Sequence, residues 1–455
     1  MSCKIFKIKF IQETYLIVIS LFIRKIKLLR NHSGFVKYLN NTSWLLLEQM
    51  LRMTVGLFVG IWLARYLGPE RFGLFNYVQA FVFIFASIAS LGLDGILVRE
   101  LVKDENKRDV LLGTAFLLKF MSAFVVLVLI LIVLGFTSDD QYTNTLAMIV
   151  ASATIFQSFS VINFYFQSKV LSKYSVYATS ISFLISSLLK IVLIIIEAPL
   201  VAFAWVILID SILIAAGLVY FYIKNNSIVS IKKLTFKLDI AVSLLKDSWP
   251  VIISGMAIGI YIKIDQLMIK EFLDAGAVGQ YAAAVRISEV WYFLPVMLAT
   301  SLFPAIINAK KISQELYYER LQKFYSMMFW ISIVIAIPVT FLAEWVINLL
   351  FGGQYNQAGS VLKIHIWALV FVFMGVAGGR WMLCENLQLI TTFNTVVGAI
   401  SNIVLNIILI PKYGINGAAI ATIISYAISG YLMMAVHKKT RINFINLSKS
   451  IIIKF

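Results

Sequence analysis

Apolar runs of some twenty residues alternate with short polar connectors along almost the whole chain. A helix needs roughly 20 apolar residues to cross the hydrocarbon core of a bilayer, and the pattern predicts twelve such spans. The first six run 44–66, 77–98, 111–135, 146–167, 175–196 and 200–222. The last six run 249–270, 284–306, 324–347, 361–382, 387–409 and 416–436. The connectors carry turn signals such as Gly68-Pro69, Gly352-Gly353 and Pro411-Lys412-Tyr413-Gly414. Trp44, Trp249, Trp345 and Trp381 fall near predicted span ends, as an interfacial aromatic belt requires.

A repeat underlies the twelve. After span 1 the chain reads Gly68-Pro69-Glu70-Arg71-Phe72-Gly73-Leu74-Phe75, and after span 7 it reads Asp274-Ala275-Gly276-Ala277-Val278-Gly279-Gln280-Tyr281. Gly73 aligns with Gly279, and the entry to span 6, from Pro199, aligns with the entry to span 12, from Gly414. The expected fold is therefore an all-α polytopic membrane protein, with twelve transmembrane helices in two six-helix parallel repeats around a central cavity. Its parts are a basic N-terminal arm (1–43), a first half (44–222), a basic linker (223–248), a second half (249–436) and a basic tail (437–455).

Composition narrows the class. Of 455 residues 61% are hydrophobic and only 13% charged, against about 25% charged in soluble domains. A soluble enzyme, a disulfide scaffold and a disordered tail are excluded. Cys3 and Cys384 form neither a disulfide framework nor a C-x-x-C pair. The net charge of +17 is mainly a topology signal: 29 Lys and Arg lie in or at the edge of the arm, the even-to-odd connectors and the tail, against 3 in or at the edge of the opposite connectors. By the positive-inside rule both termini are cytoplasmic, so the charge implies no nucleic-acid partner. The apolar stretch Tyr15–Ile23, flanked by bases, is too short to span and lacks a small-residue cleavage site. An interfacial helix and translation from an upstream start are both open readings.

Charges inside the spans are the candidate chemistry, since an ionisable group there lines a cavity or pairs with another. Glu48 with Arg52, four apart, and Arg286 with Glu289, three apart, are spaced to pair on one helix. Arg65 and Lys363 lie near span ends, from which they can snorkel. Lys119, Lys190 and Lys263 have no acid at three or four positions and are expected to face a hydrated cavity. Lys263 and Asp265 cannot share a helix face, so one of them should look toward another helix, with Asp210 or Lys190 as its partner. A positively lined cavity suits an anionic substrate. Asp94, Asp210, Asp265, Glu289 and His365 are protonatable groups available for coupling. No phosphate-binding loop, no H-E-x-x-H and no long outer loop is present in the sequence. The expectation is thus a gradient-coupled transporter with no catalytic residue, metal or cofactor. A membrane-embedded polymerase or acyltransferase would need a catalytic outer loop.

Four motifs together carry a resemblance. They are the run Leu63 to Gly73, the run Leu91-Gly92-Leu93-Asp94-Gly95 through Leu101, the run Gly279 to Glu289, and the run Asn406 to Ala419. Over residues 38–440 the chain resembles the Wzx-type polysaccharide flippases of the multidrug/oligosaccharidyl-lipid/polysaccharide exporter superfamily. The resemblance implies a V-shaped twelve-helix fold in the bacterial inner membrane. It also implies flipping of an undecaprenyl-pyrophosphate-linked repeat unit, such as O-antigen, with a polymerase and a chain-length regulator as possible partners. By helix position, the cationic cavity residues would be Arg52, Lys119, Lys190, Lys263 and Arg286, and Asp94 a gating or inner-end residue. A lipid II flippase and a drug/cation antiporter of the same superfamily are the rival readings. The former typically has fourteen spans, and the latter should show net acidic spans.

Overall fold

The computed structural model describes residues 33–136, 140–225 and 234–452, with side chains from residue 41 onward. The arm's apolar stretch Tyr15–Ile23 lies outside the described residues. Every regular element among those described is helical. The first half comprises α1 (Ser33–Ala89), α2 (Leu93–Lys103), α3 (Arg108–Phe136), α4 (Gln141–Phe156), α5 (Ser160–Ser168), α6 (Ser172–Ile195) and α7 (Leu200–Asn225). The second comprises α8 (Leu238–Phe272), α9 (Ala275–Glu289), α10 (Phe293–Lys310), α11 (Gln314–Phe351), α12 (Ala358–His365), α13 (Ala368–Cys384), α14 (Gln388–Tyr413), α15 (Ile415–Ala427) and α16 (Met433–Val436). A last helix, α17 (Arg441–Lys449), lies in the basic tail.

Eleven helical stretches among the described residues are long and apolar enough to cross a membrane. The first, Asn41–Lys103, contains both of the first two expected spans. It breaks at Gly68, whose backbone (φ 71°, ψ 170°) leaves the helical region. Pro69 follows, at the opening of the next helix, where a missing N–H breaks no intrahelical bond. Span 4 breaks into α4 and α5 across a short 3-10 turn at Gln157–Phe159, and span 8 into α9 and α10 across Val290–Tyr292. Span 12 passes through a π-turn at Ile428–Leu432. Irregular backbone at membrane depth is tolerated where it is buried in protein or lines a cavity.

The repeat is visible in the backbone. Left-handed residues recur about 216 positions apart, Val170 with Asn386 and Glu197 with Gly414. The two halves meet where the aligned glycines meet. A Cβ on Gly73 would overlap the backbone of Ala275 and Gly279, and one on Gly279 would overlap the backbone of Pro69. The second leg of α1 and the start of α9 therefore cross backbone to backbone, each glycine beside its own counterpart, as at a two-fold interface. A single apolar core continues through this crossing, with Ala64, Phe72, Tyr281, Tyr355 and Phe373 buried in it.

Polar contacts close the same end, called here the Gly68 end. Tyr355 Oη donates to Ala64 O at 2.8 Å, Gln354 Nε2 to Arg65 O at 3.0 Å and Arg65 Nη2 to Leu349 O at 3.4 Å. At the opposite end, where the linker joins the halves, α2 meets α8 through an Arg99–Asp247 ion pair at 2.5 Å. The linker's last residues pack on the first half, with Lys237 N donating to Thr114 Oγ1. The tail helix is docked as well: Tyr325 Oη donates to Asn443 Oδ1 at 2.6 Å and Leu447 is buried.

Gly279→Ala should destabilise the protein by about 1–3 kcal/mol, the usual cost of overpacking. Gly95→Ala, where a Cβ meets nothing within 4 Å, should leave stability unchanged or raise it by up to about 1 kcal/mol. Thermal unfolding of both variants in detergent checks this; equal stability would remove the crossing from the argument.

Candidate functional site

Two polar sites lie in the membrane layer. The first is cationic and draws on both halves. Arg286 projects from α9 toward α1, so that its guanidinium fills the space beside Gly60, where any side chain would overlap it. It also lies over the Phe72 ring, 5.9 Å from the centroid. Lys190 of α6 is within electrostatic reach of Arg286 and of Asp210 on α7. Asp210 itself accepts from Ser182 Oγ at 2.6 Å. Lys263 of α8 and Arg286 both face the field of Glu289. Lys190, Lys263 and Arg286 make no hydrogen bond or ion pair with any described residue. Arg286 and Glu289, spaced to pair, form no ion pair either; the guanidinium is turned across the interface onto Gly60 instead. Beside this cluster a cleft of about 500 Å³ opens between the halves. Its walls are Leu46, Gln49 and Met53 of α1 and Glu289, Phe293 and Met297 on the α9–α10 side.

The other charged positions are engaged. Arg52 binds Glu48 at 2.9 Å and Thr179 O at 3.1 Å, with its guanidinium over Phe183. That pair was legible from its spacing; its anchor on α6 was not. Lys119 departs from its expected place in a hydrated cavity. It is 5% exposed and donates to Asp94 Oδ1 and Ser160 Oγ, both at 3.0 Å, with its ammonium over Phe164. Asp94 lies 25 residues away, so no helical spacing rule could find the pair. Arg65 is exposed, and Lys363 is paired with Glu344 at 2.5 Å at the Gly68 end.

The second site is centred on Asp265, which is 2% exposed. Its partners are neither Asp210 nor Lys190; they belong to its own half. Tyr281 Oη donates at 2.7 Å, Asn406 Nδ2 at 2.6 Å and Thr422 Oγ1 at 2.5 Å, bringing α9, α14 and α15 onto one carboxylate. Asn406 Nδ2 also reaches Asn402 Oδ1 at 3.1 Å. Hydroxyl and amide dipoles replace the water a buried carboxylate loses, without neutralising its charge. His365 lies behind this group, bonded to Ser288 Oγ at 2.9 Å and edge-on to Tyr281. Reasoning from ionisable residues alone misses Tyr281, Thr422, Asn402 and Asn406. The available signal was two asparagines four apart in an apolar span, on one helical face. No cluster of three or more His, Cys, Asp or Glu suited to a metal occurs among the described residues.

Residues 38–310 match the model of a family described as "Polysaccharide biosynthesis protein". A probable low-salt glycan biosynthesis flippase of Haloferax volcanii is 27% identical over 45% of this chain, a match spanning 43% of that relative's length. The putative O-antigen transporter of Shigella dysenteriae is 20% identical over 78% of this chain and 89% of its own. Among solved structures, a lipid II flippase in an inward closed conformation superposes with a TM-score of 0.70 at 18% identity, covering 89% of this chain and 90% of that one. An inward-facing multidrug-resistance MATE transporter gives a TM-score of 0.63 at 16% identity, covering 88% and 96%. The last two likenesses speak for the fold alone. The chain is a multi-pass membrane protein and belongs to the polysaccharide biosynthesis protein family.

Proposed function

We propose that this chain is a flippase for an anionic lipid-linked glycan. In this reading the substrate is an undecaprenyl-pyrophosphate-linked repeat unit of O-antigen or a similar polysaccharide. It crosses the bacterial inner membrane from the linker-end leaflet, which the positive-inside bias makes cytoplasmic, to the Gly68-end leaflet. The observation that carries the reading is the cluster of Lys190, Lys263 and Arg286. Three bases from both halves stand in the membrane layer with no hydrogen-bonded counter-charge, beside a lateral cleft lined largely by apolar side chains. Unpaired bases at that depth are costly, and a pyrophosphate placed among them offsets the cost. The lipid tail stays in the bilayer through the cleft, so only the polar head needs a path. The relatives' names, a glycan biosynthesis flippase and an O-antigen transporter, support the same substrate class. A drug-cation site would leave acids without partners, whereas among the described residues of this site three bases and one acid, Glu289, make no hydrogen bond.

The remaining charges take supporting roles in this proposal. Arg52, held by Glu48 and Thr179 in the first leg of α1, meets the head group at the cytoplasmic approach. The Lys119–Asp94 pair ties α2 to α3 and serves the gate at that end. Asp210 and Glu289 tune the charge of the cavity. Asp265, the most enclosed of the acids, takes the coupling ion: a carboxylate held by three donors exchanges between charged and neutralised forms only when a cation reaches it. On the far side a polymerase and a chain-length regulator would receive the product.

Deleting the gene should abolish surface display of the glycan and leave lipid-linked units on the cytoplasmic side; normal display without accumulation rejects the flippase reading. Lys263→Ala should lower display at least tenfold at normal protein level, equivalent to about 1.4 kcal/mol of lost stabilisation. Lys363→Ala, at the exposed Glu344 pair, should not. Equal display by the two variants would sink the cavity assignment. Asp265→Asn should lower display by a similar factor and make it indifferent to uncouplers of the ion gradient, while a variant still driven by the gradient would place coupling elsewhere.

A further inference from the structure

We propose that the second half holds a neutral sugar subsite, a cavity within its helices that takes one pyranose ring of the lipid-linked glycan. The inference rests on the flippase reading and adds which part of the substrate this half recognises.

Four polar side chains converge on one cavity with nothing to bind. Tyr261 of α8, Asn394 of α14, Tyr426 of α15 and Ser429 of the π-turn line a space of about 200 Å³. None of the four side chains makes a hydrogen bond with a described residue. Asn394 is 3% exposed and Tyr426 6%. Buried polar groups are rarely left unpaired, and each orphan is costly. Four of them on one wall point to an occupant they share. Thr391 and Thr395 line the same cavity but are already spent, each hydroxyl donating to a carbonyl one turn back.

The lining names the class of occupant. No charged side chain contributes to it, so a pyrophosphate or a sugar acid there would lose its water and gain no counter-charge. An isoprenoid tail would leave all four polar groups unpaired. Three hydroxyls and an amide both donate and accept, as the hydroxyls of a neutral sugar do. The Tyr261 and Tyr426 rings meet edge to face, 5.0 Å between centroids, and Phe371 adds a third ring. The negative face of an aromatic ring attracts the weakly positive C–H bonds on the flat side of a pyranose. The volume equals that of about six or seven waters at about 30 Å³ each, which suits one six-membered ring with its hydroxyls and not two.

The cavity also lies at the right depth. Tyr261 is two residues before Lys263 on α8, so the cavity and the cationic cluster differ by only about 3 Å along that helix and lie on opposite sides of it. A helix is about 10 Å across, a separation that a short glycan held at its pyrophosphate can cover. The wall is thinnest at Gly379, where a Cβ would meet nothing within 4 Å. Gly379 also lines a cleft of about 540 Å³ beside Pro250 and Ser254 of α8.

Three probes test this on the full-length protein in nanodiscs: undecaprenyl pyrophosphate, the same lipid carrying three N-acetylglucosamine residues, and the free trisaccharide. With Cys3 and Cys384 replaced by serine, Thr395→Cys reports on the cavity through its rate of reaction with a small neutral thiol reagent. The glycosylated lipid should slow that reaction at least tenfold, and the bare lipid should not. Asn394→Leu and Gly379→Leu should each weaken binding of the glycosylated lipid at least tenfold while binding of the bare lipid is unchanged. Gly379→Leu should melt as the wild type does, which separates a filled cavity from a damaged fold. Equal slowing by both lipids makes the occupant the lipid and overturns the subsite. No slowing by either leaves the cavity to water and overturns it too. Equal protection by the free trisaccharide assigns the cavity to a soluble sugar and overturns the link to the glycan. Bare lipid that binds wild type and Lys263→Ala alike rejects the flippase reading itself, whatever the cysteine reports.

Discussion

Two glycines set the distance between the halves, and the charge geometry of the cavity follows from that distance. Because Gly73 and Gly279 let α1 and α9 touch backbone to backbone, Arg286 is carried across the interface to Gly60 and Tyr355 reaches Ala64 O. A side chain at either glycine would push the helices apart by the thickness of a methyl group or more. The bonds that close the Gly68 end would then be lost, and the guanidinium would no longer sit between the repeats. Within lipid the helices gain little from hiding apolar surface, so close packing at small residues is the main available attraction. It is concentrated where the repeat brings a residue against its own counterpart.

The bilayer also sorts the charges. Lys119 and Arg52 are each satisfied by an acid and a further oxygen, and each lies over an aromatic ring. Those bases are part of the scaffold as it stands. Lys190, Lys263 and Arg286 are ion-paired with no acid among the described residues, and Asp210 is already bonded to Ser182. The distinction between an occupied and an available base decides where an anion can be held. Asp265 presents the opposite case, an acid hydrogen-bonded by hydroxyl and amide dipoles and ion-paired with no base.

Much of the architecture was legible because hydrocarbon imposes a length on every span. The apolar runs located the helices, Gly68-Pro69 marked the first break, and the Gly73/Gly279 alignment exposed the repeat. Pairing between Glu48 and Arg52 followed from helical spacing. The breaks at Gln157–Phe159 and Val290–Tyr292 did not, since neither carries a Gly or Pro to mark it. The same spacing rule misled at Arg286 and Glu289. A stronger demand for space, beside Gly60, took the guanidinium away from its neighbour.

By itself, then, the sequence determined the class of protein, the places where it crosses the membrane, its repeat and the set of charges that need an explanation. These depend on composition and local spacing, which a linear string contains in full. Which charges are spent on each other was decided only by tertiary structure. Lys119 meets Asp94 from another helix, and Asp265 gathers Tyr281, Asn406 and Thr422 from three helices spread over more than 150 residues. Electrostatic and hydrogen-bond energies depend on distance in space, and the helix crossings that set those distances are fixed by shape complementarity between segments far apart in the chain.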